Sequence, residues 1–203
     1  MSYSDFTLSK VKQEFGLKTI EDLELFPNTG SYQVPEELSK YLKRYSSLAL
    51  SINTEKARSE YMIAPILGEI WLQLKTKISL FSGIELNVDS SLGINGRCDY
   101  IISLSNEQFF LTAPIIMLVE AKNNDIKEGL GQCIAEMLGA QKFNEQNKVL
   151  VPQIYGVVTT GSLWRFLKLQ EKTIYIDINE YSLQILDKLM WIFATIVEQY
   201  HVK

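Results

Sequence analysis

Hydrophobic and polar positions alternate along this chain in two different rhythms. Over the first fifty residues the spacing is helical and the predicted pieces are short. Leu8–Phe15 forms one, followed by Gly16 as a C-cap. Thr19 with Asp22 three residues later has the letters of a capping box ahead of Leu23 and Leu25. Pro35 suits a first helical position, with Glu36 and Glu37 in the first turn and Leu38, Tyr41, Leu42 and Tyr45 on one stripe. A longer helix is predicted from just after Asn53 or Thr54 to about Lys75. Met62, Ile63, Ile66, Leu67, Ile70 and Leu74 are its apolar face, and Pro65 marks a kink or a delayed start.

From Ile78 the period shifts toward that of strands. Ile78–Val88, Arg97–Leu104 and Ile115–Ala121 read as three strands, with turns at Ser90–Gly96 and Ser105–Gln108. The third is almost wholly apolar, as a central strand covered on both faces must be. Lys127–Asn144 returns to helical spacing through Leu130, Ile134 and Leu138. Strands follow at Ile154–Thr160, Leu163–Leu169 and Thr173–Ile178. A last helix, Leu183–Tyr200, carries Leu186, Met190, Phe193, Val197 and Tyr200 on a stripe widened by Leu189, Ile192 and Ile196. So broad a face calls for the core or, alternatively, a homodimer interface through this helix. The order predicts an α/β domain with a mixed sheet flanked by helices. It spans 1–203: a helical N-terminal extension (1–52), a core (53–180) and the C-terminal helix (181–203).

Composition narrows the chemistry. Of 203 residues, 46% are hydrophobic and 22% charged, enough to bury a core without disulfides. Pro114–Val119, the longest apolar run, is too short for a membrane span, and no signal peptide is predicted at Met1–Asp5. Cys98 and Cys133 lack metal-ligand spacing, so a cytoplasmic protein is expected. His201 is the only histidine, which argues against Ser-His-Asp and Cys-His mechanisms and against His/Cys zinc sites. Neither a G-x-x-x-x-G-K-[ST] nor a G-x-G-x-x-G loop occurs. Any enzyme chemistry therefore falls to carboxylates, lysine and a hard metal. A net charge of −4 and a pI near 5.2 weigh against a free-standing, tightly gripping DNA binder.

The informative stretch is Gly96-Arg97-Cys98-Asp99-Tyr100, then the apolar strand ending Val119-Glu120-Ala121-Lys122, then a helix containing Gln132. Strand alternation points Glu120 and Lys122 to one side and Val119 and Ala121 to the other. A carboxylate and an ammonium ending a buried strand need partners. A second carboxylate from the neighbouring strand would make a hard, anionic pocket suited to Mg²⁺ or Mn²⁺. Taken singly, Glu-x-Lys reads equally as a salt-bridging strand end and Asp99 as a turn residue.

Together with the element order, these residues resemble the PD-(D/E)XK nuclease superfamily, whose restriction-endonuclease-like core runs αβββαβ. The resemblance covers roughly Asn53 to Leu169, with the motif at Asp99–Gln132. The chain is also similar to the amino-terminal nuclease-type regions of type I restriction subunits. Two positions depart from the pattern: Cys98 stands where the family name has Pro, and Glu136 where some relatives carry Tyr. The resemblance implies metal-assisted phosphodiester hydrolysis, with DNA as the partner, RNA as an alternative and no membrane. It assigns Asp99, Glu120 and the Ala121 carbonyl to the metal, Lys122 to the attacking water or the phosphate charge, and Gln132 to the phosphate or the lysine. It also implies a carboxylate from the first core helix. Glu60 and Glu69 are nine residues apart and face opposite ways; Glu60, nearer the apolar stripe, is the choice. A non-catalytic binding or regulatory protein on the same fold is the competing expectation, since fold does not fix function. A structural dimer carrying an incidental motif is the third. Around the Thr159–Arg165 turn, Trp164 and Arg165 could contact nucleic acid, but hairpin packing is the expected role. Asn123–Asp125 is expected to cap a helix.

Overall fold

The computed structural model describes residues 1–28 and 30–200; His201 lies outside them. In chain order the elements are Leu8–Phe15 (α1), Lys18–Leu23 (β1), Glu36–Ile52 (α2), Glu55–Arg58 (α3), a π-helical turn Ser59–Ile63, Ala64–Leu74 (α4), Ser79–Glu85 (β2), Arg97–Ser103 (β3), Ile115–Ala121 (β4), Ile126–Gln146 (α5), Ile154–Thr159 (β5), Leu163–Gln170 (β6), Thr173–Asp177 (β7), Tyr181–Ser182 (β8) and Leu186–Glu198 (α6). The strands form one eight-stranded mixed sheet in the order β1-β7-β6-β5-β4-β3-β2, with β8 added to β6. The pairs β4–β5 and β1–β7 are parallel. Among the described residues no helix is long and apolar enough to cross a membrane.

Each sheet face carries its own core. Met117, Val119 and Ala121 project into one with Ile63, Ile66, Ile70, Leu189, Phe193 and Ile196, so α4 and α6 cover that side. Ile115, Leu118 and Val158 project into the other with Val11, Ile126, Ile134 and Met137, so α1 and α5 cover the opposite side. This two-sided cover explains the unbroken apolar run of β4, every residue of which is buried. It also settles the broad face of α6. Leu189, Met190, Ile192, Phe193, Ile196 and Val197 are buried within the chain, so that face serves the core and is not free for a homodimer. Trp164 is likewise buried, its indole N–H donating to Gly161 O at 3.1 Å. Arg165 pairs with Glu180 at 2.7 Å, and both residues serve the hairpin.

The N-terminal segment corrects the sequence reading. Thr19–Asp22 is not a helix start but part of β1, paired in parallel with β7 through Lys18↔Thr173 and Ile20↔Tyr175. The first 52 residues are therefore not a helical extension, because they supply one edge of the sheet. A local capping pattern yields here to strand pairing that no sequence-near signal announces. The opposite edge, β2, is blocked by a side chain: the Gln108 amide donates to Leu80 O at 2.6 Å and accepts from Leu80 N–H at 3.2 Å.

The helical run after Asn53 begins at Thr54, whose hydroxyl accepts from Ala57 N–H at 3.1 Å. It does not run as one regular α-helix. Pro65 sits in the first turn of α4 and brings no N–H to the ladder. Just upstream, Ala64 N–H reaches back five residues to Ser59 O, giving the π turn. In that wider turn a residue five positions on comes back to nearly the same face.

Candidate active site

Topology brings the singled-out residues to the C-terminal end of β4. The β3–β4 register ends at Tyr100↔Val119, and one step further sets Asp99 opposite Glu120. There the strands part, and Asp99 Oδ2 accepts the Ala121 backbone N–H at 2.8 Å. On the far side of β3, Ser82↔Tyr100 and Ile84↔Cys98 pair normally. Gly83 between them takes φ +66°, a left-handed backbone that a side chain would adopt only with strain. Cys98 is a free, fully buried packing residue.

α5 is held to β4 at both ends. At one end Asn144 makes two hydrogen bonds to Ile115, accepting its N–H at 2.7 Å and donating to its carbonyl at 2.8 Å. Twelve residues of helix and six of strand each span roughly 20 Å, so Gln132 arrives beside Lys122 at the other end. Asp125 caps the helix there, accepting from Lys127 N–H at 2.8 Å. Gly129 permits the close approach: a Cβ on it would lie 2.6 Å from Val158 Cγ1 and 3.0 Å from Lys122 Cγ.

The Lys122 ammonium is the hub. It donates to Glu120 Oε1, donates to Gln132 Oε1 at 3.3 Å, and lies 3.9 Å from Glu55 Oε2. Gln132 in turn donates from Nε2 to Glu136 Oε1 at 3.1 Å. Glu120 is 1% exposed and Glu136 fully buried. The second carboxyl oxygen of each has no hydrogen-bond partner among the described residues. Burial, then the charge of Asp99, pushes Glu120 up to about 8 against the pull of Lys122. Glu136 is pushed well above the carboxylate range by burial and then by Glu120, so the two carboxyls retain a proton where isolated ones would not. Burial alone would lower Lys122, but the charges of Glu120, Glu55 and Asp99 outweigh it and hold the ammonium above its ordinary range.

A cleft of about 330 Å³ opens beside this hub, lined by Glu55, Ser59, Glu60, Asp99, Tyr100 and Ala121 among others. Asp99, Glu120, Ala121, Lys122 and Gln132 thus meet at one end of the sheet. Glu60 reaches the cleft wall, but its carboxylate is paired with Lys56 at 2.6 Å. The first-helix carboxylate nearest Lys122 is Glu55, which sequence reasoning passed over. Its signal was its place directly after the Thr54 cap, four residues before Ser59 on one face. Glu55 and Glu60 both line the cleft, although five steps of a regular helix would set their faces well apart. Glu69 lies outside the cleft lining and accepts from Gln73 at 2.8 Å. Glu136, taken from the sequence only as a departure from a family pattern, completes the polar chain behind Lys122.

Among the described residues no group of three or more His, Cys, Asp or Glu side chains is arranged to hold a metal ion. At the end of β4, Asp99 and Glu120 nevertheless present carboxylate oxygens and Ala121 a backbone carbonyl, all hard donors. The partnerless Glu120 oxygen is a buried polar atom of the kind a hard cation satisfies. Hard oxygens of this kind are the donor type that magnesium and manganese take. The chain matches no protein-family model and no curated protein sequence.

Proposed function

We propose that this chain is a metal-dependent phosphodiesterase acting on nucleic acid, with a restriction-endonuclease-like core spanning the α3–α4 helical run, β2–β4, α5 and β5. The observation that carries this reading is the meeting of Asp99, Glu120, Lys122 and Glu55 at the end of one buried strand. Carboxylates and an amine are costly to gather in a partly dry site unless their charges are used. Asp99, Glu120 and the Ala121 carbonyl are the residues that would hold Mg²⁺ or Mn²⁺. Such an ion polarises a phosphate and lowers the pKa of bound water. Lys122, steered by Gln132, is placed to neutralise charge developing on the phosphate. Glu55 restrains the same ammonium from the cleft side.

The second reading is a non-catalytic nucleic-acid-binding or regulatory protein on the same architecture. It is favoured by the Lys122 ammonium already occupying one oxygen of Glu120 and by the net charge of −4. Cleavage assays on plasmid, single-stranded DNA and RNA with Mg²⁺ or Mn²⁺ separate the two. Under the hydrolase reading, Asp99→Ala and Lys122→Ala each lower the rate roughly 10²–10³-fold. Metal binding by calorimetry with no cleavage of any substrate supports the second reading and sinks the first.

A further inference from the structure

Beside the cleft, on the same stretch of chain, lies a surface that hydrolysis itself does not require. Tyr41 and Tyr45 on α2 pack with ring centroids 4.7 Å apart and planes tilted by 44°. Tyr45 continues onto Tyr61 of the π turn at 6.2 Å, with the planes only 21° apart. Tyr61 directly follows Ser59 and Glu60, which line the cleft, so the ladder begins where the cleft wall ends. Tyrosines in the core of this protein bond their hydroxyls: Tyr3 to Leu86 O at 2.8 Å and Tyr181 to Asp177 at 3.0 Å. The three ladder tyrosines are only half-buried. Their hydroxyls are not among the buried, partnerless polar atoms of the chain. They combine an apolar ring with a water-facing tip, as aromatic residues at binding surfaces do.

Beyond its acidic first turn, Glu36 and Glu37, the same helix carries charge of one sign. From Leu38 to Ile52, α2 holds Lys40, Lys43 and Arg44 and no acidic residue, in a chain that is acidic overall. Lys40 is paired with Glu36, whereas Lys43 and Arg44 are exposed and make no ion pair among the described residues. The Arg44 guanidinium lies 5.5 Å from the Tyr45 ring centroid. Aromatic faces interleaved with free cations complement a polyanion that carries flat, unpaired rings. Paired bases in a duplex are already stacked on their neighbours, and only an unpaired base can offer its face to tyrosine.

We infer that Tyr41, Tyr45 and Tyr61, with Lys43 and Arg44, form a binding surface for single-stranded nucleic acid that leads into the Asp99 cleft. This rests on the nucleic-acid reading of the cleft and narrows its substrate to strands, flaps or ends with unpaired bases. Stacking supplies strand preference without base-edge readout, and the two cations track the backbone.

The test is fluorescence anisotropy of the full chain in EDTA, which keeps binding separate from cleavage. The probes are labelled oligo-dT, oligo-U and a mixed duplex of equal length. Single strands are expected to bind roughly tenfold or more tighter than duplex, and Tyr45→Ala to weaken strand binding by roughly 5- to 100-fold. Tyr45→Phe keeps the ring and stays near wild type. Lys43→Glu/Arg44→Glu, at exposed positions, lowers affinity even if Tyr45→Ala fails to fold. The DNA and RNA arms identify which strand is preferred. Duplex bound as tightly as single strand, or strand binding unchanged in a folded Tyr45→Ala and in the charge variant, overturns the inference. Strand binding that follows these variants without cleavage under any metal defeats the hydrolase reading alone. Efficient duplex cleavage with no preference for unpaired strands defeats this inference alone.

Discussion

Glu120 and Glu136 carry the largest electrostatic cost at the site. Each binds its proton more tightly folded than unfolded, so the stability this contributes is complete below the ordinary value of 4.5; Glu120's share is lost as pH rises through about 8, and Glu136, raised by burial and by Glu120, acts in the same direction. Metal-free protein should therefore lose stability between about pH 5 and pH 8. Glu136→Gln, which keeps the Gln132 contact without a titrating proton, should flatten that slope and make the variant more stable than wild type at pH 8. Urea denaturation at pH 5.5 and pH 8 in EDTA measures this, and parallel losses in variant and wild type would contradict it. Glu55 and Glu60 make a second comparison. Glu55→Gln removes an acid facing Lys122 and should depress metal binding and cleavage more than Glu60→Gln, whose carboxylate is engaged by Lys56. Equal effects would show that proximity to Lys122 does not rank them.

At the scale of elements, what was legible in the sequence followed periodicity. β4 was readable residue for residue because burial on both faces demands an apolar run. The alternation of Glu120 and Lys122 against Val119 and Ala121 followed from the pleat alone. β1 was not readable. Its partner β7 lies some 150 positions further along the chain, and Thr19 and Asp22 equally suit a helix cap. The π turn escaped for a related reason: Pro65 announced an irregularity but not which way the preceding turn would open. Glu55 escaped because the apolar stripe that ranked the helix carboxylates begins only at Met62. The α5–β4 contact offers a test at this scale. Gly129→Ala pushes a methyl into Val158 and Lys122, and overpacking of this kind costs about 1–3 kcal/mol. Its chemical signature would be a cleavage loss larger than the stability loss accounts for, because Lys122 is displaced. Cleavage that merely tracks the folded fraction would indicate a packing role only.

At the scale of the whole molecule, the charge balance limits how a polyanion can be held. Asp and Glu outnumber Lys and Arg by 24 to 20, and the proposed strand surface offers only Lys43 and Arg44 to displace counterions. Single-strand affinity should then fall with salt along a log–log slope of about −1.4, two phosphate contacts at about 0.7 each. A much steeper slope would point to a larger basic surface than α2 offers.

The Gln108 amide on β2 has a consequence at this same scale. A peptide-like group supplied by a side chain satisfies both backbone atoms of Leu80, so this point of the outer edge is closed by a surrogate. Gln108→Ala would uncover an invitation to self-templating, in which one chain's edge recruits the next. Slow, concentration-dependent growth of light scattering in that variant alone would register it.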